Sequence, residues 1–573
     1  MRDAQGHDGH RPGQGAAGAL SSRPLLAMAF AFLLIFGIGL HFFDTNNDLW
    51  WHLKTGELIV KEMHIPSQDS YSFTREGHPW VALEWLSEIV LYGVASLLGF
   101  GALVWFKAFV FVLVMSLLWS LIREKEYPYL WLTLTVIAAL LVQFHLLLRP
   151  HLFFWLFLLL TLFILRKRKT PLLLIPLFII WANAHASVMI GLFVAGSYAL
   201  EAWWRSRSFK AVYPFLPLPF AALLNPVSYR VFLTPFHIIS ESKEFIAEWQ
   251  PFPLGDPHLI VFVLLLVLLL FLVFRTRGIR IADLLPLLVM VPLAFNARRN
   301  LPVAVFFLII AIADRLRRLM AGPGMPSRRI FRVWSERSSA ALPLFLVLIL
   351  FIGAVMVHAG TAFSPSFPRR QYALNAMDFI LNHDIGPDLF NDYAHGGVAI
   401  FKGYPRTKVF IDGRIDMYGE DMMKRYLIIS EQLDGWEDLL APYAIDGFLL
   451  SHGSPLERHL LGNRSFKLVY FDELVSVFVP VRPDTEHLRG FSLLGPRAIK
   501  APSSPEEASA LAEEMSYLLS LDPGNAEMHK NLGMLLVLSG MDVEKGKAEL
   551  SQYLFLAPRG PFAQEVRALL VRS

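Results

Sequence analysis

The sequence contains no cysteine. That excludes disulfides, thiolate metal sites, iron–sulfur clusters and a cysteine nucleophile, and it fits any redox compartment. Charge is also scarce. Only 17% of the 573 residues are charged, against about a quarter in an ordinary soluble domain. Neither sign dominates: 52 basic residues stand against 48 acidic ones, a net charge of +4, so charge makes no case for nucleic acid as a partner. A glycine-rich phosphate loop is missing too, and Gly99-Phe100-Gly101 is too short a match to serve as one. No apolar run ends in a small-residue cleavage site, so the first reads as a retained signal anchor. What is abundant is apolar surface, at 55% of residues. That excess excludes both an ordinary cytosolic enzyme and an intrinsically disordered chain.

A spanning helix requires about 20 mostly apolar residues. Runs approaching that length occur at Leu25–Phe42, Gly101–Ile122, Tyr129–Leu147, Leu152–Leu165, Pro171–Trp181, Val188–Trp203, Ala211–Leu224, Leu259–Phe274, Ile281–Phe295, Leu301–Ile312 and Ala340–Val357. The expected fold class is therefore a polytopic α-helical membrane protein of about eleven spans. Basic residues favour cytoplasmic loops. The clusters at Arg23, Arg123/Lys125, Arg166–Lys169, Arg205/Arg207/Lys210, Arg275/Arg277/Arg280 and Arg315–Arg337 all fall on one side if Trp85–Leu98 lies on the membrane or re-enters it. The expected location is then a bacterial inner membrane, with a cytoplasmic amino terminus and everything after Val357 outside. Residues 1–23 read as a disordered cytoplasmic tail, and 24–357 as the membrane domain with a first external loop over 43–100.

The external connections hold most of the reactive side chains. The first loop runs Asp44-Thr-Asn-Asn-Asp48-Leu-Trp50-Trp51-His52 and continues to Trp80…Glu84-Trp85; later ones carry Arg149-Pro-His151, Asn183-Ala-His185, Asn225-Pro226 and Arg298-Arg299-Asn300. Ionisable groups near hydrocarbon cost several kcal/mol and normally face a cavity or a partner. Their recurrence at one depth on six segments predicts an external cavity with carboxylates on one wall and guanidinium groups on another. Each residue also has a plainer role. Asp48 fits as the cap of a helix starting at Leu49, the arginines as snorkelling anchors, the histidines as packing residues, and Trp50, Trp51, Trp80 and Trp85 as an interfacial belt.

Such a cavity suits transfer of a sugar from a polyprenyl phosphate whose tail lies in the lipid. Arginine pairs bidentately with phosphate and neutralises the leaving group. A carboxylate takes the proton of the attacking hydroxyl, and a single displacement inverts the anomeric centre. The expected partners are this lipid donor, membrane lipids and a protein or glycan acceptor. The same residues leave open a ligase moving a whole lipid-linked oligosaccharide, a transporter or flippase, and a non-catalytic envelope scaffold.

The stretches Asp48-Leu-Trp-Trp-His-Leu-Lys-Thr-Gly56, Ile65-Pro…Asp69…Phe73-Thr, Trp80…Glu84-Trp-Leu, Arg149-Pro-His151, Trp181-Ala-Asn-Ala-His185, Asn225-Pro226 and Arg298-Arg-Asn300 resemble the GT-C superfamily of integral-membrane glycosyltransferases. They are closer still to a bacterial group with tetratricopeptide-type tails. The resemblance covers most of residues 25–315. It implies an essential acidic residue after the first span, a role that falls on Asp48, with Asp44 second and Glu84 assisting. It implies that Arg149, Arg298 and Arg299 hold the lipid phosphate, and that His52, His151, Asn183, His185, Asn225 and Asn300 line the site. Many members carry a tight acidic pair in this loop, whereas here Thr45-Asn46-Asn47 separates the two aspartates. Some relatives use a divalent cation and others do not.

After Val357 the composition changes. Phe363–Pro368 reads as a linker, and 370–485 as a periplasmic α/β domain with strands at Gly397–Phe401, Lys408–Ile411, Gly447–Leu450, Phe466–Phe471 and Val475–Val479. Helices are expected at Met377–Asn382, Asp421–Ser430 and Trp436–Leu440. The polar, glycine-bearing loops Asn391–Gly397 and Ile411–Gly419 are candidates for acceptor binding or a lid; the plainer reading makes Asp412-Gly413 a turn and Arg414/Asp416 an ion pair. Residues 500–573 read as a helical tail, opened by a Ser504 cap. Leu521-Asp-Pro-Gly and Leu556-Ala-Pro-Arg match at an offset of 35 residues, close to the tetratricopeptide period of 34.

Overall fold

The structure is a computed structural model and describes residues 22–41, 47–124, 127–168, 170–234, 246–321, 371–496 and 501–572. Asp44, Lys125, the Ala340–Val357 run, the Phe363–Pro368 linker and nearly all of the 1–23 tail lie outside them. The chain forms two compact units. One is Met1–Asp44 with Leu83–Phe367; the other is Thr45–Ala82 with Pro368–Ser573. The loop read as 43–100 is thus shared between the units.

Unit one is helical. Its core is aromatic and aliphatic, with Trp131, Trp155, Trp181, Phe111 and Phe178 fully buried. Gly39 lets the first helix approach Phe100–Ile122 closely: a Cβ there would stand 2.7 Å from the Ala108 Cα, the small-residue contact that apolar helices favour. Among the described residues three helices are long and apolar enough to cross a membrane: Phe100–Ile122, Pro128–His145 and Pro257–Thr276. Ala27–Leu40, Trp85–Leu98, Pro171–Ala184 and Ile281–Asn296 are shorter apolar helices. The expected count of about eleven spans is not supported. Proline is one reason. The Ala211–Leu224 run breaks into the 3₁₀ turns Phe209–Ala211 and Tyr213–Phe215 and the six-residue helix Pro217–Ala222, because Pro214, Pro217 and Pro219 each remove a helical donor. Charge is another. Leu301–Ala321 runs on through Asp314 and Arg315, and Arg166 is not a free topogenic residue but binds Asp314 at 2.7 Å and also Asp283.

Unit two is built around a five-stranded sheet of order β2-β1-β3-β5-β4. The strands are β1 (Asp388–Asn391), β2 (Lys408–Val409), β3 (Gly447–Ser451), β4 (Phe466–Phe471) and β5 (Val475–Pro480). β1 runs parallel to β2 and β3, and β5 antiparallel to β3 and β4. The stretch expected as a strand at Gly397–Phe401 is instead the helix Gly396–Gly403. It joins two parallel strands, a connection that has to cross over rather than turn back as a hairpin. β1 itself escapes a reading of apolar runs because Asp388 and Asn391 bracket only Leu389 and Phe390.

The first-loop segment completes this sheet. Val409 donates to the Tyr71 carbonyl at 3.0 Å and accepts from the Phe73 amide at 3.2 Å, so residues 71–73 cover the edge of β2. The helix Asp48–Glu62 packs on Gly396–Gly403. The tail follows as Pro505–Leu521, Ala526–Ser539, Val543–Leu556 and Ala563–Arg572. Ser504 caps the first of these by accepting from the Glu507 amide, and the two matching Leu-x-Pro stretches both fall at helix ends. Phe491, ring to ring with Phe471 at 5.3 Å and Tyr517 at 5.6 Å, pins the tail to the sheet.

Candidate functional site

In unit one, two arginines from distant connections meet on one carboxylate. Arg149 precedes the helix His151–Phe163, and Arg299 lies in the 3₁₀ turn before Leu301–Ala321. Arg149 Nη1 stands 3.4 Å from Glu248 Oε1, and Arg299 Nη1 stands 3.3 Å from the same oxygen. His145 Nδ1 faces Glu248 Oε2 at 3.8 Å. Burial alone would raise the Glu248 carboxyl, but the two guanidinium groups outweigh it and hold the group at about 2. The Arg299 guanidinium also lies 4.1 Å over the ring of Trp249. Two guanidinium groups converge on this one carboxylate while all three side chains keep partial exposure, between 19% and 27%.

The neighbouring predicted residues separate into distinct roles. Arg298 turns the other way and donates through Nε to the Ala247 carbonyl at 2.7 Å. With its backbone amide on Gln250, it fixes the loop that carries Glu248. His151 donates through Nε2 to the His145 carbonyl at 2.8 Å and closes that turn. Asn225 builds an Asx turn, accepting from Val227 N and donating to the Ala222 carbonyl. Asn300 donates to the Leu293 carbonyl. Asn183 donates to the carbonyls of Ile179 and Leu224 and accepts from Trp85 Nε1 at 2.9 Å. His185 Nε2 lies 3.2 Å from Glu84 Oε1, and Arg299 is within electrostatic range of that imidazole.

In unit two, Asp48 is the first residue of its helix. Asn47 occupies the cap position and no side chain caps it, so the expected capping role is not the one Asp48 plays. Its carboxylate lies against Gly413, where a Cβ would come within 2.1 Å of Asp48 Oδ1 and 3.1 Å of Trp51 Nε1. Gly397 is needed for the same reason, since a Cβ there would sit 2.1 Å from the Asn47 carbonyl oxygen. The glycines of the two polar loops are therefore seats for the start of the Asp48 helix. His52 is buried with its ring 3.6 Å from that of Trp51.

Behind Asp48 lies a sealed ion cluster. Arg414 binds Asp412 Oδ2 at 2.6 Å and Asp69 Oδ1 at 2.7 Å, all with side chains no more than 1% exposed. Its guanidinium lies against both Tyr71 and Trp80, 4.8 and 4.6 Å from the ring centres. Burial works against the Arg414 charge, but Asp412, Asp69 and Tyr418 more than restore it, and its ionisation is held well above the ordinary range. Asp69, not Asp416, thus pairs with Arg414 alongside Asp412. Trp50 is likewise buried, against Tyr372 and Phe401, so Trp50 and Trp80 belong to this core and not to an interfacial belt. Among the described residues no group of three or more His, Asp or Glu is placed to hold a metal ion.

Sequence reasoning missed Glu248 and Asp69. Glu248 sits in Ile246-Ala-Glu-Trp249, a connection with no motif, and nothing local sets it apart from Glu241, Glu244 and Asp256 of the same connection except the adjoining tryptophan. Asp69 stands in the polar first loop with no motif that assigns it a role.

No family model matches the chain, and no curated protein matches it. Among solved structures, the archaeal oligosaccharyltransferase AglB from Archaeoglobus fulgidus, in complex with an inhibitory peptide and a dolichol-phosphate, is similar with a TM-score of 0.49 and 12% identity, over 75% of this chain and 70% of that chain. A likeness of that degree assigns no chemistry to this protein.

Proposed function

We propose that this chain is an integral-membrane glycosyltransferase of GT-C type, which moves a sugar from a polyprenyl-phosphate donor to an acceptor on the periplasmic face with inversion at the anomeric carbon. The observation that supports the reading is the convergence of the partly exposed Arg149 and Arg299 guanidinium groups at Glu248. A donor phosphodiester carries one negative charge. Cleavage of the sugar–phosphate bond leaves a monoester with nearly two. Guanidinium groups held beside the leaving phosphate favour the product side of that change, which is where electrostatic stabilisation accelerates a reaction. Glu248 keeps the two guanidinium groups from repelling each other apart before the donor arrives.

Asp48 takes the proton of the acceptor hydroxyl as its oxygen attacks the anomeric carbon. The bond from that carbon to the phosphate oxygen breaks, and the electron pair leaves with the lipid phosphate. Asp44 is the second candidate for the base. A divalent cation, if the chain uses one, would assist the leaving phosphate. The tail after residue 500 would dock a protein or glycan acceptor.

Transfer from a labelled polyprenyl-phosphate sugar by the purified full chain in lipid nanodiscs tests this. Asp48→Asn should lower the rate by about 10²–10⁴, the usual range for loss of a general base, with an unchanged melting profile. Undiminished transfer by that variant rejects the assignment of Asp48, and a wild-type chain that transfers nothing from any such donor rejects the function.

A further inference from the structure

Unit one contains a hydrogen-bonded chain whose direction is fixed by groups that can only donate. Trp181 Nε1–H donates to Ser187 Oγ at 3.0 Å. The Ser187 backbone N–H donates to His185 Nδ1 at 3.0 Å, and the Ser187 hydroxyl lies 2.8 Å from the same nitrogen. Nδ1 must therefore accept, so the ring is neutral and its proton sits on Nε2. That nitrogen faces Glu84 Oε1 at 3.2 Å. The Phe154 ring stacks on the imidazole at 5.8 Å and 15°. Nδ1 is thus committed to Ser187, and Nε2 is turned toward Glu84.

The consequence falls on Glu84. A carboxylate held in place by a facing imidazole N–H is well suited to accepting hydrogen bonds from hydroxyl groups. Its side chain stays 24% exposed, and the next residue is the half-buried indole of Trp85, itself oriented by Asn183. A fixed carboxylate beside an aromatic ring matches a hexose, which offers hydroxyl donors at its rim and apolar C–H faces.

We propose that Glu84 binds hydroxyl groups of the donor's sugar, with His185 as its positioning residue, so that this chain selects a glycosylated over a bare polyprenyl phosphate. The inference rests on the lipid-donor reading above, and it gives Glu84 a specificity role in place of the assisting base expected from the sequence.

Binding, measured apart from turnover, tests it. Purified full chain in nanodiscs is titrated with a polyprenyl-phosphate hexose and with the same lipid phosphate lacking sugar. Wild type should prefer the glycosylated lipid by about tenfold or more, the worth of a hydrogen bond to a charged group. His185→Phe keeps the stack on Phe154 but removes the donor, and should erase the preference while leaving affinity for bare lipid phosphate unchanged. His185→Gln retains an N–H near the Nε2 position and should restore it, which a packing role would not. Glu84→Leu should lose the preference as His185→Phe does. The proposal is overturned if wild type shows no preference or if His185→Phe keeps it. A chain that shows the preference but never transfers sugar upholds the subsite and rejects the transferase reading. A chain that transfers sugar while His185→Phe still discriminates does the reverse.

Discussion

Two clusters in this molecule use the same side chains in opposite proportions. In unit two one guanidinium, Arg414, is matched by two carboxylates, and all three are sealed from solvent. In unit one two guanidinium groups, Arg149 and Arg299, share one carboxylate and remain partly open. A buried charge without a full set of partners is costly, so the sealed group carries two aromatic rings against Arg414 and hydrogen bonds to Asp69 from Tyr71 N, Ser72 N and Ser72 Oγ. The open group keeps its guanidinium groups within reach of water or of an anion. Composition alone does not separate a structural ion cluster from a binding one. Stoichiometry and exposure do.

The largest effect should follow from breaking the sealed cluster. Arg414→Met leaves Asp69 and Asp412 facing each other in the core, and removing one member of a buried ion pair costs about 3–5 kcal/mol. Hydrogen exchange across 71–73 and 388–411 should accelerate together, since these segments share the β2 edge. If Arg414→Met folds as well as wild type, the cluster is not structural and the contrast with unit one fails.

The open cluster should respond the other way. Arg299→Gln removes a charged hydrogen-bond donor worth about 1.5–3 kcal/mol to an anion, so affinity for a polyprenyl phosphate should drop roughly 10- to 100-fold with little change in melting temperature. The wild-type affinity should weaken with added salt, as expected of a partly exposed ionic site, and the variant's should weaken less. Loss of fold without loss of affinity would assign Arg299 to the structural class.

A smaller effect should come from Gly413→Ala. The new methyl group would need the space held by Asp48 Oδ1. That carboxylate is the end of a short side chain and can move, so stability should hold while transfer falls by about tenfold, less than the roughly hundredfold that misplacing a reacting group by a full ångström can cost. Equal losses of stability and rate would show that the loop and helix do not part so easily.

These particulars also mark what the sequence could disclose. The helical class, the α/β domain with four of its five strands and the capped start of the tail were readable, because apolar runs, turn residues and an Ser-Pro-Glu-Glu cap act locally. Arg149 and Arg299 were readable as candidates because arginine outside a cytoplasmic cluster breaks a charge rule. Their shared partner was not, since Glu248 lies 99 residues from Arg149 and 51 from Arg299 and carries no local pattern. The membership of residues 45–82 in unit two was also hidden. Asp69 meets Arg414 across more than 300 positions, and hydrophobic periodicity says nothing about which sheet edge a loop will join.

The smallest predicted effect concerns whether acid sensitivity of unit two comes from its ion cluster or from a neighbouring group. His395 accepts or donates at Ser451 Oγ, 3.0 Å away, at the carboxyl end of β3, while Asp392 accepts from the Ser451 amide at 2.6 Å. Burial first, and then His452, push the His395 imidazole down to about 4 from an ordinary 6.5. A histidine whose folded value is depressed binds fewer protons folded than unfolded between those two values. Its contribution is therefore complete above about 6.5 and is lost as pH falls toward 4. Between pH 7 and 5.5 that loss should be about 1 kcal/mol, read as faster exchange of the 391–397 and 447–453 amides in the full chain. His395→Asn should flatten the slope without touching exchange near Arg414. A slope that survives this substitution would move the acid-sensitive group to another residue, and if exchange around Asp69 then tracked pH as well, the sealed cluster would be less sealed than its geometry requires.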